Sequence, residues 1–80
     1  MNITVLFFGI SSDLVTENKV DLTLDKTISI AEFRRHLLEV YPALENIKTY
    51  ALAVNEAYAT DDFLLKPNDV VAVIPPVSGG

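Results

Sequence analysis

Side chains able to carry chemistry are few and scattered in this chain of 80 residues. His36 is the only histidine and there is no cysteine, so disulfides, thiolate catalysis and zinc–sulfur sites are excluded, and a metal site or a nucleophile–histidine triad lacks members. Asp61 and Asp62 are paired carboxylates, but adjacent residues in a loop suit capping a helix or turn better than acid–base work. Lys19, Lys26, Lys48 and Lys66 are spread out rather than clustered, and solvation is their default. No glycine-rich loop precedes a helix, so no nucleotide site is built in. The chemistry that remains is at the end of the chain, VIPPVSGG over residues 73–80. Gly79 and Gly80 have no side chains, which leaves the backbone and the terminal carboxylate of Gly80.

A carboxylate is a poor electrophile, because its oxygen leaves badly and its charge repels nucleophiles. Activation by a nucleoside triphosphate to an acyl-adenylate removes both obstacles. Glycine then offers a carbonyl that no side chain crowds, open to sulfur, a thiol or an amine. Pro75 and Pro76 have no amide hydrogen and cannot donate to a sheet ladder, so they end a strand. Their ring-fixed φ favours a stiff, extended segment that aims the last four residues outward. Val77 and Ser78 continue it, and Gly79-Gly80 form a thread narrow enough for a partner's channel. At an average glycine usage of about 7%, a terminal pair arises by chance in about 0.5% of chains. The expected organisation is a folded body over 1–76 and a flexible substrate arm over 77–80.

The elements before the arm must hold it out. NITVLFF, residues 2–8, is β-branched and aromatic, reads as a buried strand, and is broken by Gly9. VDLTLD, residues 20–25, alternates Val20, Leu22 and Leu24 with Asp21, Thr23 and Asp25, the pattern of a half-exposed strand. SSDLVTENK between them reads as a hairpin-like turn region with its tip at Glu17-Asn18-Lys19. Ser29 with Glu32 three residues later is a capping box that opens a helix carrying Ile30, Phe33, Leu37 and Tyr41, widened by Leu38. Arg34, Arg35, His36 and Glu39 fall on its watery side, and Pro42 stops it near Tyr41. TYALAVN, residues 49–55, reads as a strand with Tyr50, Leu52 and Val54 on one face. A turn at Asn55-Glu56 leads to a short strand at 57–59, and TDDFLLK tucks an apolar pair under a loop. Lys66-Pro67-Asn68-Asp69 is a turn, and VVAVI, residues 70–74, is an apolar run expected to be covered on both faces. The order β-β-α-β-β-β predicts an α+β fold, a ubiquitin-like β-grasp. It has a mixed sheet of about five strands, one main helix on one face, and the first and last strands side by side in the centre.

Composition narrows the partners. A net charge of −5, from 11 acidic and 6 basic side chains, argues against nucleic acid and anionic membranes and favours a basic protein surface. Half of the residues are apolar, generous for one small domain and a hint of an apolar patch that meets a partner. The N-terminal MNITVLFFGISSD has no basic flank and too short an apolar run for a secretory signal or a membrane span. With no cysteine, the expected setting is the cytoplasm.

Taken over its whole length, the sequence resembles the small-subunit family of molybdopterin synthase, sulfur carriers of the ubiquitin-like superfamily. The resemblance runs through VLFFG, AEFRRHLLEVYP and LAVNEAYA to LLKPNDVVAVIPPVSGG, and the last stretch is the specific part. It implies that Gly80 is adenylated by an E1-like activating enzyme using ATP and Mg, then converted to a thiocarboxylate by a sulfur donor. It further implies docking on a large subunit in a heterotetramer and sulfur donation to cyclic pyranopterin monophosphate, with no cofactor bound by this chain itself. Position by position, Gly80 bears the sulfur and Gly79 lets the tail pass. Pro75, Pro76, Val77 and Ser78 match the stem, and Phe8, Ile74 and Tyr58 match an apolar contact patch. Ser12-Asp13 stands where the family often has Arg-Glu, and Asn68-Asp69 where it usually has Gly-Asp. Other outcomes are a carrier for thiazole or cysteine synthesis, a modifier conjugated to lysines through Gly80, and a plain interaction module.

Overall fold

The computed structural model describes residues 1–47 and 49–76. In chain order it has β1 (Asn2–Phe7), α1 (Ile10–Val15), β2 (Lys19–Thr23), α2 (Ile30–Val40), a 3-10 turn (Pro42–Asn46), β3 (Ala51–Val54), β4 (Ala57–Tyr58) and β5 (Val70–Ile74). The strands form one mixed sheet in the order β2-β1-β5-β3-β4. The first and last strands are thus neighbours, paired in parallel from Thr4↔Val70 to Phe7↔Val73, as their apolar sequences predict. β1 and β2 pair antiparallel, as do β3 and β5.

α2 covers one face of this sheet. Ser29 caps it: its hydroxyl accepts from the Glu32 amide at 3.2 Å, while the Glu32 carboxylate accepts from the Ser29 amide at 3.1 Å. The stripe Ile30, Phe33 and Leu37 is buried against Ile3, Val5, Leu52, Val71 and Val73, with Leu44 and Leu65 closing the sides. Tyr41 ends the helix before Pro42, and its ring meets Phe7 edge-on at 5.4 Å. Hydrogen bonds from the Ser29 backbone and hydroxyl hold the Glu32 carboxyl below its ordinary value of 4.5. A carboxyl lowered in the folded state adds stability that is present above the unfolded value and lost as pH falls through the folded one. Unfolding measured against pH should therefore show an acid limb below pH 4.5 that is shallower in Glu32→Gln.

Several expectations are corrected. SSDLVTENK is not a plain turn: residues 10–15 form α1, ended by Thr16 in left-handed geometry (φ 64°). Ser11 and Val15 are buried there, and six residues are too few for periodicity to reveal a helix. β5 is not covered on both faces: Val71 and Val73 are buried, whereas Val70, Ala72 and Ile74 are only half covered. With one long helix there is nothing among the described residues to cover the second face. Arg34 is half-buried rather than solvated, because its side chain turns onto Tyr50. In TDDFLLK only Leu65 enters the core, and Phe63 and Leu64 remain exposed. Leu38 is likewise exposed and does not widen the buried stripe.

Candidate functional site

The root of the tail is built by the two central strands. β5 ends at Ile74, whose partner across the ladder is Ala51 of β3. On the other side, the Phe8 amide donates to the Val73 carbonyl at 3.3 Å and also to the Ser11 hydroxyl at 3.0 Å. The Ser11 hydroxyl in turn donates to the Phe8 carbonyl at 2.6 Å. Gly9 then turns the chain with φ 56°, a region open to glycine but strained for other residues. A Cβ placed on Gly9 would lie 3.7 Å from Pro75 Cγ, so the start of the stem passes directly beside this turn.

Strand alternation and register define the sheet face opposite α2. Leu6, Ala72, Ala53 and Tyr58 form one row across β1, β5, β3 and β4. Ile74 and Ala51 form the next row towards the tail, and Phe8 flanks them beyond the end of β1. Phe8 is 49% exposed and Tyr58 74%, high values for large apolar side chains. A groove of about 460 Å³ runs between Leu6, Phe8, Asn55, Glu56, Val70 and Ala72. A second of about 420 Å³ lies between residues 49–51, Tyr58 and residues 74–76.

Two turns hold the far end of this face. Asn55 and Glu56 both have positive φ (50° and 74°), the requirement of a two-residue hairpin turn whose twist matches its strands. Asn55 Nδ2 donates to Asp69 Oδ1 at 2.9 Å, and Asn55 Oδ1 accepts from the Val70 amide at 3.0 Å. Asp69 Oδ2 accepts from the Lys66 amide at 2.8 Å, tying the 66–69 turn to the hairpin. Asn68 takes the left-handed geometry expected of it, with φ 70°. The burial of Asp69 is explained by these bonds, and the sequence holds no local sign of them.

Phe8, Ile74 and Tyr58 therefore share one face, with Pro75 and Pro76 at its border. Val77, Ser78, Gly79 and Gly80 lie outside the described residues, as does Lys48. Leu6, Ala72 and Ala51 join the patch, with the buried Ala53 beneath it, although the sequence did not single them out. Their signal is plain strand alternation, hidden for Ala72 by the expectation that VVAVI was covered on both faces. His36 lies apart from this face, beside Leu24, Asp25, Lys26 and Ile28. Among the described residues no three His, Cys, Asp or Glu side chains assemble as a metal site. No helix among them is long and apolar enough to cross a membrane.

The chain has a mixed five-stranded sheet with an open apolar face beside its Pro-Pro stem, and the model of one known family matches its residues 5–80. The chain belongs to the ThiS family. Among ThiS-like relatives, a Caenorhabditis elegans protein called molybdopterin synthase sulfur carrier subunit is 41% identical, covering 100% of this chain and 99% of its own. One of the same name from Chlamydomonas reinhardtii is 34% identical, with 100% of both chains covered. The crystal structure of SAMP1 from Haloferax volcanii superposes with a TM-score of 0.87 over 100% of both chains, at 20% identity, and shows the fold, the ubiquitin-like β-grasp. A protein–protein complex of subunits 1 and 2 of molybdopterin-converting factor from Helicobacter pylori contains a chain that matches with a TM-score of 0.71 and 27% identity, again over 100% of both.

Proposed function

We propose that this chain is the sulfur carrier subunit of a molybdopterin synthase, with Gly80 as its only reactive residue. The observation that carries the reading is positional. A central strand runs without interruption into Pro75-Pro76, and the stem begins at the border of an unpartnered apolar face. A partner seated on that face receives the Pro-Pro-Val-Ser-Gly-Gly arm at a fixed place. Full-length relatives that are called sulfur carrier subunits support the same reading.

An E1-like enzyme, using ATP and Mg, joins the Gly80 carboxylate to AMP and releases pyrophosphate. Sulfur from a donor, at the level of hydrosulfide, attacks the glycyl carbonyl and expels AMP, leaving a thiocarboxylate. In the large subunit, the thiocarboxylate sulfur bonds to an electrophilic carbon of cyclic pyranopterin monophosphate as that carbon's bond to oxygen breaks, the oxygen leaving with a proton as water or with the opened phosphate ester. Water then cleaves the glycyl–sulfur bond, leaving sulfur on the pterin and regenerating the Gly80 carboxylate. This chain supplies the arm and the docking face, Phe8, Ile74 and Tyr58 included, while pterin-binding groups come from the large subunit. Two copies of each make the complex, which works in the cytoplasm.

Intact mass tests it. Expressed with an activating enzyme and a sulfur donor, the chain should gain the mass difference between one sulfur and one oxygen atom. Slowly migrating lysine conjugates without that species would show a protein modifier instead. A chain that acquires sulfur but passes none to cyclic pyranopterin monophosphate in the presence of a large subunit would serve another acceptor.

A further inference from the structure

The stem is held on two sides, and only one of them is backbone alone. On the β1 side, Pro75 passes the Gly9 turn. On the β3 side, Tyr50 helps line the groove that also contains Pro75 and Pro76. Tyr50 lines a second groove as well, shared with Arg34, Arg35, Leu38 and Leu44, so it stands between the helix side of the molecule and the stem. Arg34 of α2 grips this partition twice. Its guanidinium carbon lies 4.9 Å from the centre of the Tyr50 ring, and its Nη1 donates to the Tyr50 carbonyl at 2.7 Å.

The place of that carbonyl matters. Tyr50 immediately precedes Ala51, the partner of Ile74 in the last rung of the β3–β5 ladder. Beyond Ile74 the ladder cannot continue on backbone amides, because Pro75 and Pro76 have none. Whatever fixes residues 50–51 therefore fixes the last point at which the body steers the chain. Burial raises the Tyr50 phenol above its ordinary value of 10.0, against the opposing pull of Arg34. The phenol is accordingly neutral, and the cation is drawn to the ring's face, a contact that strengthens when water is excluded.

We infer that Arg34 is a positioning residue for sulfur delivery: by clamping Tyr50 it sets the direction in which the chain leaves the body at Pro76. The inference rests on the carrier reading above. Four residues reach at most about 14 Å beyond Pro76, so a small change of angle at the stem shifts where the arm can deliver its end. Misplacing a reacting group by about 1 Å can cost about 100-fold in rate. Glycine's freedom recovers part of that, so a loss of about tenfold is expected.

The test uses the full chain, prepared as its thiocarboxylate by sulfide cleavage of an intein fusion and verified by mass. Turnover is measured with the large subunit and cyclic pyranopterin monophosphate while the loaded chain is varied. Arg34→Met keeps the apolar stem of the side chain and removes the clamp. It should lower kcat about tenfold while the half-saturating concentration stays within about twofold, because the apolar docking face is untouched. Arg34→Lys, which keeps a cation and a donor, should recover most of the loss. Should Arg34→Met not fold, Tyr50→Leu, which removes the ring that Arg34 stacks on, must show the same split. Wild-type kcat in the clamp variant, a loss confined to half-saturation, or no recovery by lysine would overturn the inference alone. A loaded wild-type chain that transfers no sulfur would overturn the carrier reading and this inference with it.

Discussion

A chain ending at Gly79 should fold, dock on the large subunit and deliver no measurable sulfur. The truncated chain still ends in a glycine carboxylate, so the chemistry of its terminus is unchanged. Its reach is shorter by one residue, about 3.5 Å. Nothing in the body can make up the difference, because the last ladder rung is at Ile74 and the stem beyond it starts with two prolines of fixed φ. Reacting atoms must approach within roughly 3–3.5 Å, so a shortfall of one residue removes the attack geometry, and a drop of at least about 100-fold is expected. Thermal unfolding and affinity for the large subunit should stay at wild-type values, since the core and the apolar face lie within residues 1–76. The same experiment read as loading, by mass after incubation with the activating enzyme, separates failure to acquire sulfur from failure to deliver it. Dithiolene formation at an undiminished rate would sink the carrier reading.

Much of the fold was legible because several local signals agreed. The Ser29–Glu32 box, the Ile30-Phe33-Leu37 spacing and Pro42 each mark α2 independently, and the helix lies where they place it. The apolar, β-branched runs at 2–8 and 70–74 are the central pair. The features that stayed hidden depend on contacts far apart in the chain or on segments too short to show a period. α1 is held by Ser11 bridging both polar groups of Phe8 and by Val15 in the core, and neither contact leaves a period in six residues. Continuous apolarity in VVAVI has two causes that a sequence cannot separate: a second protein layer, or a face kept apolar for another molecule. Here the second layer is lacking among the described residues, which turns Val70, Ala72 and Ile74 from core candidates into surface.

The candidate site divides along the same line. Its chemical end is an expectation drawn from Pro-Pro and Gly-Gly, whose covalent geometry needs no neighbours to interpret, and Gly79 and Gly80 lie outside the described residues. Phe8, Ile74 and Tyr58 were reached through resemblance, and register then brings them to one face. Arg34 escapes a reading by pattern because helical spacing turns it from the core stripe. The distance from Arg34 to Tyr50 is 16 residues in sequence, with a 3-10 turn between them, and local pattern carries no information about that contact.

The face itself makes the second strong prediction, that Phe8→Ala and Tyr58→Ala together weaken binding to the large subunit about 1,000-fold. Both side chains project from the open face, and neither belongs to the buried core. Each change alone should leave folding within about 0.5 kcal/mol of wild type, as surface substitutions do. On the proposed reading the same rings are desolvated anchors in the complex, and truncating an anchor of this kind costs about 2 kcal/mol, roughly 30-fold in affinity. Phe8 comes directly after β1 and Tyr58 belongs to β4, three strand spacings away, or about 14 Å. At that separation, beyond about 10 Å, the two losses should add. Titration calorimetry of the single and double variants against the large subunit reads the sum directly. A double variant that binds within tenfold of wild type would mean that the partner sits elsewhere, and that the apolar row Leu6-Ala72-Ala53-Tyr58 is not its docking surface.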